Sequence, residues 1–113
     1  MDYQKVEEII DYFSNRLTAH AVQVKQIILF GSQSDGSADS ESDIDLCVIS
    51  DDFEGKGILE RAKMIRNAEI ETIKKYLIPL DIINMTQEEL EKGASLAAQF
   101  VSNGNVVYEY NGQ

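Results

Sequence analysis

The sequence predicts a small mixed β-sheet flanked by helices, in the α/β (α+β) class. Short runs rich in Val, Ile and Leu alternate with longer stretches of helical periodicity, and Gly, Pro or small polar residues bound each run. A chain of 113 residues is long enough for a core but too short for a catalytic domain plus a substrate domain, so residues 1–113 are read as a single domain.

Tyr3, Val6, Ile9, Ile10, Phe13 and Leu17 recur at helical spacing with Glu7, Glu8, Asp11 and Arg16 between them, predicting an amphipathic first helix. Val24 to Phe30 is β-branched and apolar and stops at Gly31, as a buried strand ending in a tight turn does. Residues 32–42, with five serines, Gly36 and the acids Asp35, Asp39 and Glu41, are too polar for core and are expected to form a short helical turn and a loop. Asp43 to Ser50 reads as a central strand. Its Ile44, Leu46 and Val48 share one face, while Cys47 and Ile49 continue the face opened by Asp43 and Asp45.

Ile58, Leu59, Ala62, Ile65, Ala68, Ile73, Tyr76 and Leu77 fit the inner side of a long helix. Its other side holds Lys56, Arg61, Lys63, Arg66, Lys74 and Lys75, most of the positive charge of the chain. Pro79 ends that helix, and Leu80 to Met85 reads as a third strand, central because Leu80, Ile82 and Ile83 flank its one acid, Asp81. Thr86-Gln87-Glu88-Glu89 fits a capping box opening one helix, with Leu90, Leu96, Ala97, Phe100 and Val101 inward and Gly104 as its stop. Val106 to Tyr110 supplies a last strand.

Ten Lys and Arg against twenty Asp and Glu give a net charge of −10, which opposes direct contact with nucleic-acid backbones. Cys47 is the only cysteine, so no intramolecular disulfide is expected, and Met1-Asp2-Tyr3 opens neither a basic nor an apolar leader. A reducing cytoplasm is the expected home. No apolar run approaches the roughly 18 to 20 residues of a membrane span.

The chemistry gathers at the strand ends. Asp43 and Asp45 stand two apart on a strand, so they leave the same face with Cα atoms about 6.5–7 Å apart, close enough to bracket divalent ions. Two such charges pushed to about 4 Å would repel by about 4 kcal/mol at an effective dielectric of 20, a cost that a cation removes. Oxygen ligands without His or Cys nearby select Mg²⁺ or Mn²⁺, whose shells substrate phosphates and water commonly complete, so the implied substrate is a nucleoside triphosphate. Gly31 lets backbone approach a phosphate, and the Ser32 hydroxyl can donate to it; a plain strand-ending turn with an N-cap explains the same pair in isolation. Asp81, unpaired in an apolar strand, would be costly unless it joins a metal or pairs with a base such as Arg61 or Lys75. His20 reads as a helix-end histidine, Cys47 as a buried inert thiol, and Tyr108 and Tyr110 as strand residues.

Leu29-Phe30-Gly31-Ser32, then ten residues, then Asp43-Ile44-Asp45-Leu46, resembles the signature of the polymerase β nucleotidyltransferase superfamily, in the spacing of its minimal nucleotidyltransferase branch. The resemblance extends to Gly104-Asn105-Val106-Val107-Tyr108, similar to the closing glycine and strand of that branch. It implies the polymerase β-like nucleotidyltransferase fold and an antitoxin that moves AMP from ATP to a tyrosine of a HEPN-domain toxin encoded nearby. It also implies that Gly31 and Ser32 hold the β- and γ-phosphates, that Asp43 and Asp45 bind two Mg²⁺ ions, and that Asp81 holds the ion activating the attacking hydroxyl. Catalysis would then rest on Asp43, Asp45 and Asp81.

Family members often read Gly-Ser-Arg-Ala-Arg-Gly, whereas this chain has Gly31-Ser32-Gln33-Ser34-Asp35-Gly36. Either Lys56, Arg61, Lys63 or Arg66 replaces that charge, or nucleotide binding is weak and the chain neutralises the same partner by covering it. Transfer to a small molecule would need a substrate domain that this length does not supply. The acceptor residue, the base preference and self-association into a homo-oligomer are left open by the sequence.

Overall fold

The apolar stripe of the first segment folds as α1 (Tyr3–Ala19), which buries Val6, Ile9, Ile10, Phe13 and Leu17. In the computed structural model, which describes residues 3–31 and 43–110, α1 is followed by β1 (Gln26–Phe30), β2 (Ile44–Ile49), a 3₁₀ turn at Asp51–Phe53 and α2 (Ile58–Tyr76). Then come β3 (Leu80–Met85), α3 (Gln87–Lys92), α4 (Leu96–Ser102) and β4 (Asn105–Glu109). The strands form one mixed sheet in the order β3-β2-β1-β4, as the fold class anticipates. Both β1–β2 and β1–β4 are antiparallel, whereas β2–β3 is parallel and therefore needs the long α2 crossover. The predicted helical turn and loop, with Ser32 and Asp35, lie outside the described residues.

Strand alternation sends side chains to two separate cores. Ile27, Leu29, Ile44, Leu46, Val48 and Leu80 pack with α1 and α2 residues such as Phe13 and Ile65. Ile28, Cys47, Ile49 and Met85 pack instead with Ala98 and Val101 of α4. This two-sided cover explains the continuous apolar reading of β2. Among the described residues, no helix is long and apolar enough to cross a membrane.

Several expectations change. β3 is an edge strand rather than a central one, and Asp81 is exposed. Its apolar flanks arise because Leu80 and Ile82 join one core and Ile83 and Met85 the other, leaving the strand edge open. The single helix expected after Thr86 is two helices. The capping box forms as predicted, but Gly93 adopts a left-handed conformation at φ 60° and Ser95 caps a new helix by accepting from the Ala98 amide. That break resets the helical phase, so Ala98 and Val101 turn inward while Leu96 and Phe100 face solvent. Ile58, Leu59 and Leu77, expected inside, are also exposed, because they occupy the two ends of α2 beyond the buried Ile65–Thr72 stretch.

Arg61 was a candidate for phosphate charge, but the fold uses it otherwise. Its guanidinium donates to both Glu89 carboxylate oxygens at 2.7 and 3.1 Å, and to the Lys56 and Asn84 carbonyls at 2.8 and 3.2 Å. These bonds tie α2 to β3 and α3. Arg61→Ala should therefore destabilise the protein by about 2 kcal/mol in a denaturant titration, as loss of charged hydrogen bonds usually does. Across the other helix pair, Glu71 accepts from Arg16 at 3.0 and 3.3 Å, and its Oε1 lies 2.6 Å from His20 Nε2, so His20, at the end of α1 as expected, is half-buried beside the Arg16–Glu71 ion pair.

Hydrogen bonds from His20 and then Arg16 hold the Glu71 carboxyl below its ordinary range. A depressed carboxylate stabilises the fold above its unfolded pKa and loses that contribution as pH falls through the folded value. Melting curves from about pH 5 down to about pH 3 should accordingly show a steeper acid loss for the native chain than for Glu71→Gln.

Candidate active site

Three strand ends meet at one corner of the sheet. Antiparallel pairing sets Phe30 opposite Asp45, and parallel pairing sets Asp81 opposite Asp45 on the other side. Residues directly opposite one another share a sheet face, so both carboxylates stand on the face that carries Cys47, Ile49, Ile83 and Met85 farther along. The apolar layer under α4 thus gives way to acids at the end where β1 stops.

Gly31 makes room for this arrangement. Its φ is +73°, and a Cβ built there would meet the Asp45 carboxylate, 3.0 Å from its Cγ and 3.3 Å from its Cβ. The glycine expected from sequence to admit a phosphate therefore first admits the Asp45 side chain. Burial, the neighbouring Asp81 charge, a hydrogen bond with Asp81 and the more remote Asp43 charge, in that order, raise the Asp45 pKa. The nearby Asp81 carboxylate thus opposes the ionisation of Asp45.

Asp43 lies one residue before β2 and is exposed, reaching Asp45 through its charge. Among the described residues no three of His, Cys, Asp and Glu form a group able to hold a metal ion, so the structure joins two of the expected ligands and leaves the third at the rim. The donor chemistry nevertheless suits a hard divalent cation. Asp45 and Asp81 offer carboxylate oxygens only, and a cation between them would relieve the repulsion that raises Asp45.

Sequence reasoning missed Glu69. It is half-buried on α2, and burial followed by the Asp81 charge raises its pKa against the opposing effect of Arg66. Its position one turn past Ile65 and beside Ala68, at the border of the buried stripe, was the available signal. Cys47 is buried as expected, its thiol pushed up to about 12 by burial and by Glu89, which removes it as a nucleophile. Ser32 lies outside the described residues. The larger of the two described cavities, about 430 Å³, lies near Lys25, Asp51, Tyr108 and Tyr110. That is the opposite end of β1, about 13 Å from Phe30 at strand rise, so it does not belong to the acidic corner.

Comparisons with known proteins agree with this fold. A protein of Sulfolobus solfataricus assigned as a nucleotidyltransferase superposes with a TM-score of 0.70 at 13% identity, over 93% of this chain and 81% of its own. A toxin–antitoxin structure with AMP-PNP gives 0.63 at 19% identity, over 93% of this chain and 74% of its own. A structure assigned as a minimal nucleotidyltransferase gives 0.57 at 21% identity, over 93% of this chain and 94% of its own. None of the curated proteins matches this sequence. The family model described as "Polymerase beta, Nucleotidyltransferase" matches residues 7–113, and with the same fold in these structures and paired aspartates at its strand ends, the chain belongs to the polymerase β nucleotidyltransferase family.

Proposed function

We propose that the protein transfers AMP from ATP to a hydroxyl of a partner protein and serves as the antitoxin of a toxin–antitoxin pair. The observation that carries this reading is the opposition of Asp45 and Asp81 across adjacent parallel strands, beside the bare backbone of Gly31. The superposition on a toxin–antitoxin structure with AMP-PNP supports both the nucleotide and the partner class. The proposed partner is a HEPN-domain protein encoded nearby, and the proposed acceptor is a tyrosine hydroxyl.

In this scheme Asp45 and Asp81, with Asp43 at the rim, hold divalent cations of the Mg²⁺ type, two in number, with Mn²⁺ as an alternative. When bound, such ions neutralise the triphosphate and departing pyrophosphate and lower the pKa of the acceptor hydroxyl. The chain contributes position. Gly31 keeps the end of β1 clear of the Asp45 carboxylate, and Gly31 and Ser32 are proposed to hold the β- and γ-phosphates. Asp81, exposed on the edge strand, faces the side from which an acceptor can arrive and takes its proton. The acceptor oxygen bonds to the α-phosphorus as the bond to the bridging oxygen breaks, and pyrophosphate leaves.

A second reading is favoured by the engagement of Arg61 with Glu89, which removes one source of positive charge for the triphosphate. Here the chain is a catalytically weak module that neutralises its partner by complex formation. Incubation with α-³²P-ATP, Mg²⁺ and the purified product of the adjacent gene separates the two. Label on a partner tyrosine, lost in Asp81→Asn, is the outcome expected of the transferase. A tight complex without label, unchanged in that variant, would favour the module.

A further inference from the structure

The break at Gly93 leaves an apolar surface that the fold does not use. Leu96 and Phe100 stand one turn apart on the outer side of α4, 68% and 60% exposed, while Ala98 and Val101 of the same helix are buried. From α4 the chain passes through Gly104, packed so tightly over β1 that a Cβ there would lie 3.0 Å from the Phe30 Cβ, and enters β4. Val106, 53% exposed, is paired with Ile28 and therefore stands on the same sheet face as α4. That face also carries Asp45 and Asp81 at its open end, and Phe30 leads directly into Gly31. Large apolar side chains left in water on the face that carries a reaction centre mark contact surfaces more often than bulk surface.

We infer that Leu96, Phe100 and Val106 form the docking face for the protein that carries the acceptor hydroxyl, and that this protein is basic where it meets them. The inference rests on the transfer reading above. Charge selects the occupant. At −10 per chain, a second copy docked here would bring two strongly negative surfaces together, whereas a basic partner is attracted to the same field. An apolar anchor on the face of the acids but toward the β4 edge would hold the acceptor by contacts remote from the reacting atoms, so its loss should weaken association rather than the chemistry.

The test measures affinity for the purified product of the adjacent gene by isothermal titration, and label transfer from α-³²P-ATP at saturating partner, for five chains. Phe100→Ser should weaken binding by about thirtyfold, the usual size of a central aromatic anchor, while label transfer at saturation stays near native. Phe100→Lys should bind worse than Phe100→Glu, because lysine meets a basic partner with like charge. Circular dichroism melting monitors folding, and Leu96→Ser gives a second, independent truncation of the same face. Unchanged affinity in both serine variants overturns the docking face even when label transfer is intact. Lost affinity in those variants without any label in the native chain upholds the face and overturns the transfer reading. Native self-association that Phe100→Glu weakens and Phe100→Lys strengthens would identify a second copy as the occupant and overturn the basic partner, as would absence of a complex with the native chain.

Discussion

Asp45→Asn is expected to lower nucleotidyl transfer by more than about a hundredfold, since even groups behind metal ligands cost about ten- to a hundredfold when removed. The same substitution should raise, not lower, the melting temperature of the protein without divalent cations at neutral pH. Burial and the Asp81 charge raise the Asp45 pKa, so the ionised side chain is less favourable folded than unfolded. For a carboxylate raised on folding, the native state binds more protons, and stability falls as pH climbs from the unfolded value of about 3.9 through the higher folded one. Asn carries no such charge and should lack that fall. Mg²⁺ should reverse the order by stabilising the native chain and leaving Asp45→Asn nearly unaffected. Differential scanning fluorimetry across pH, with and without Mg²⁺, reads both effects. A native chain insensitive to Mg²⁺, with Asp45→Asn less stable throughout, would count against the paired-acid account.

Gly31→Ala should also abolish most of the activity, but with the opposite effect on stability. A left-handed backbone costs an L-residue about 1–2 kcal/mol, and here the added methyl meets the Asp45 carboxylate as well. Either the end of β1 shifts or Asp45 swings away from Asp81. Denaturant unfolding should show at least that loss, and transfer should fall toward the level of Asp45→Asn. Stability lost together with full activity would mean that Gly31 serves the turn alone. The contrast between the two variants matters, because a merely destabilised protein cannot produce a more stable inactive one.

Local patterning carried most of the fold. The first helix, the capping box at Thr86 and the two faces of β2 followed from spacing alone, because each depends on residues within a turn or two of one another. Strand order did not. Whether β3 ends up central or at the edge depends on β4 returning beside β1, a long-range choice that Leu80, Ile82 and Ile83 cannot report when helices cover both faces. The single helix expected over 87–103 failed for a local reason: Gly93 and Ser95 carry a stop and a new cap, and the apolar positions were read through them.

The site was partly legible for related reasons. The motif spacing placed Gly31 and Asp45 in one neighbourhood, the resemblance added Asp81 from its apolar strand, and the strand register sets the two acids side by side. What the spacing could not convey is that Gly31 clears space for Asp45, that Asp43 stays at the rim, and that Glu69 of α2 lies within reach of the Asp81 charge. Arg61, read as a partner for Asp81 or a charge for the phosphates, is bound by Glu89 because the capping box holds that carboxylate within its reach. Such partnerships join segments distant in sequence and are visible only once the chain is folded.

The central claim is that the Asp45–Asp81 pair holds a divalent cation and, with it, a nucleoside triphosphate. Isothermal titration of Mg²⁺·AMP-PNP into the native chain, Asp45→Asn and Asp81→Asn tests it without a partner protein and without turnover. The expected result is a saturable isotherm for the native chain that is lost in both variants and absent when EDTA replaces Mg²⁺. Equal binding in all three chains, or native binding indifferent to Mg²⁺, would contradict the claim.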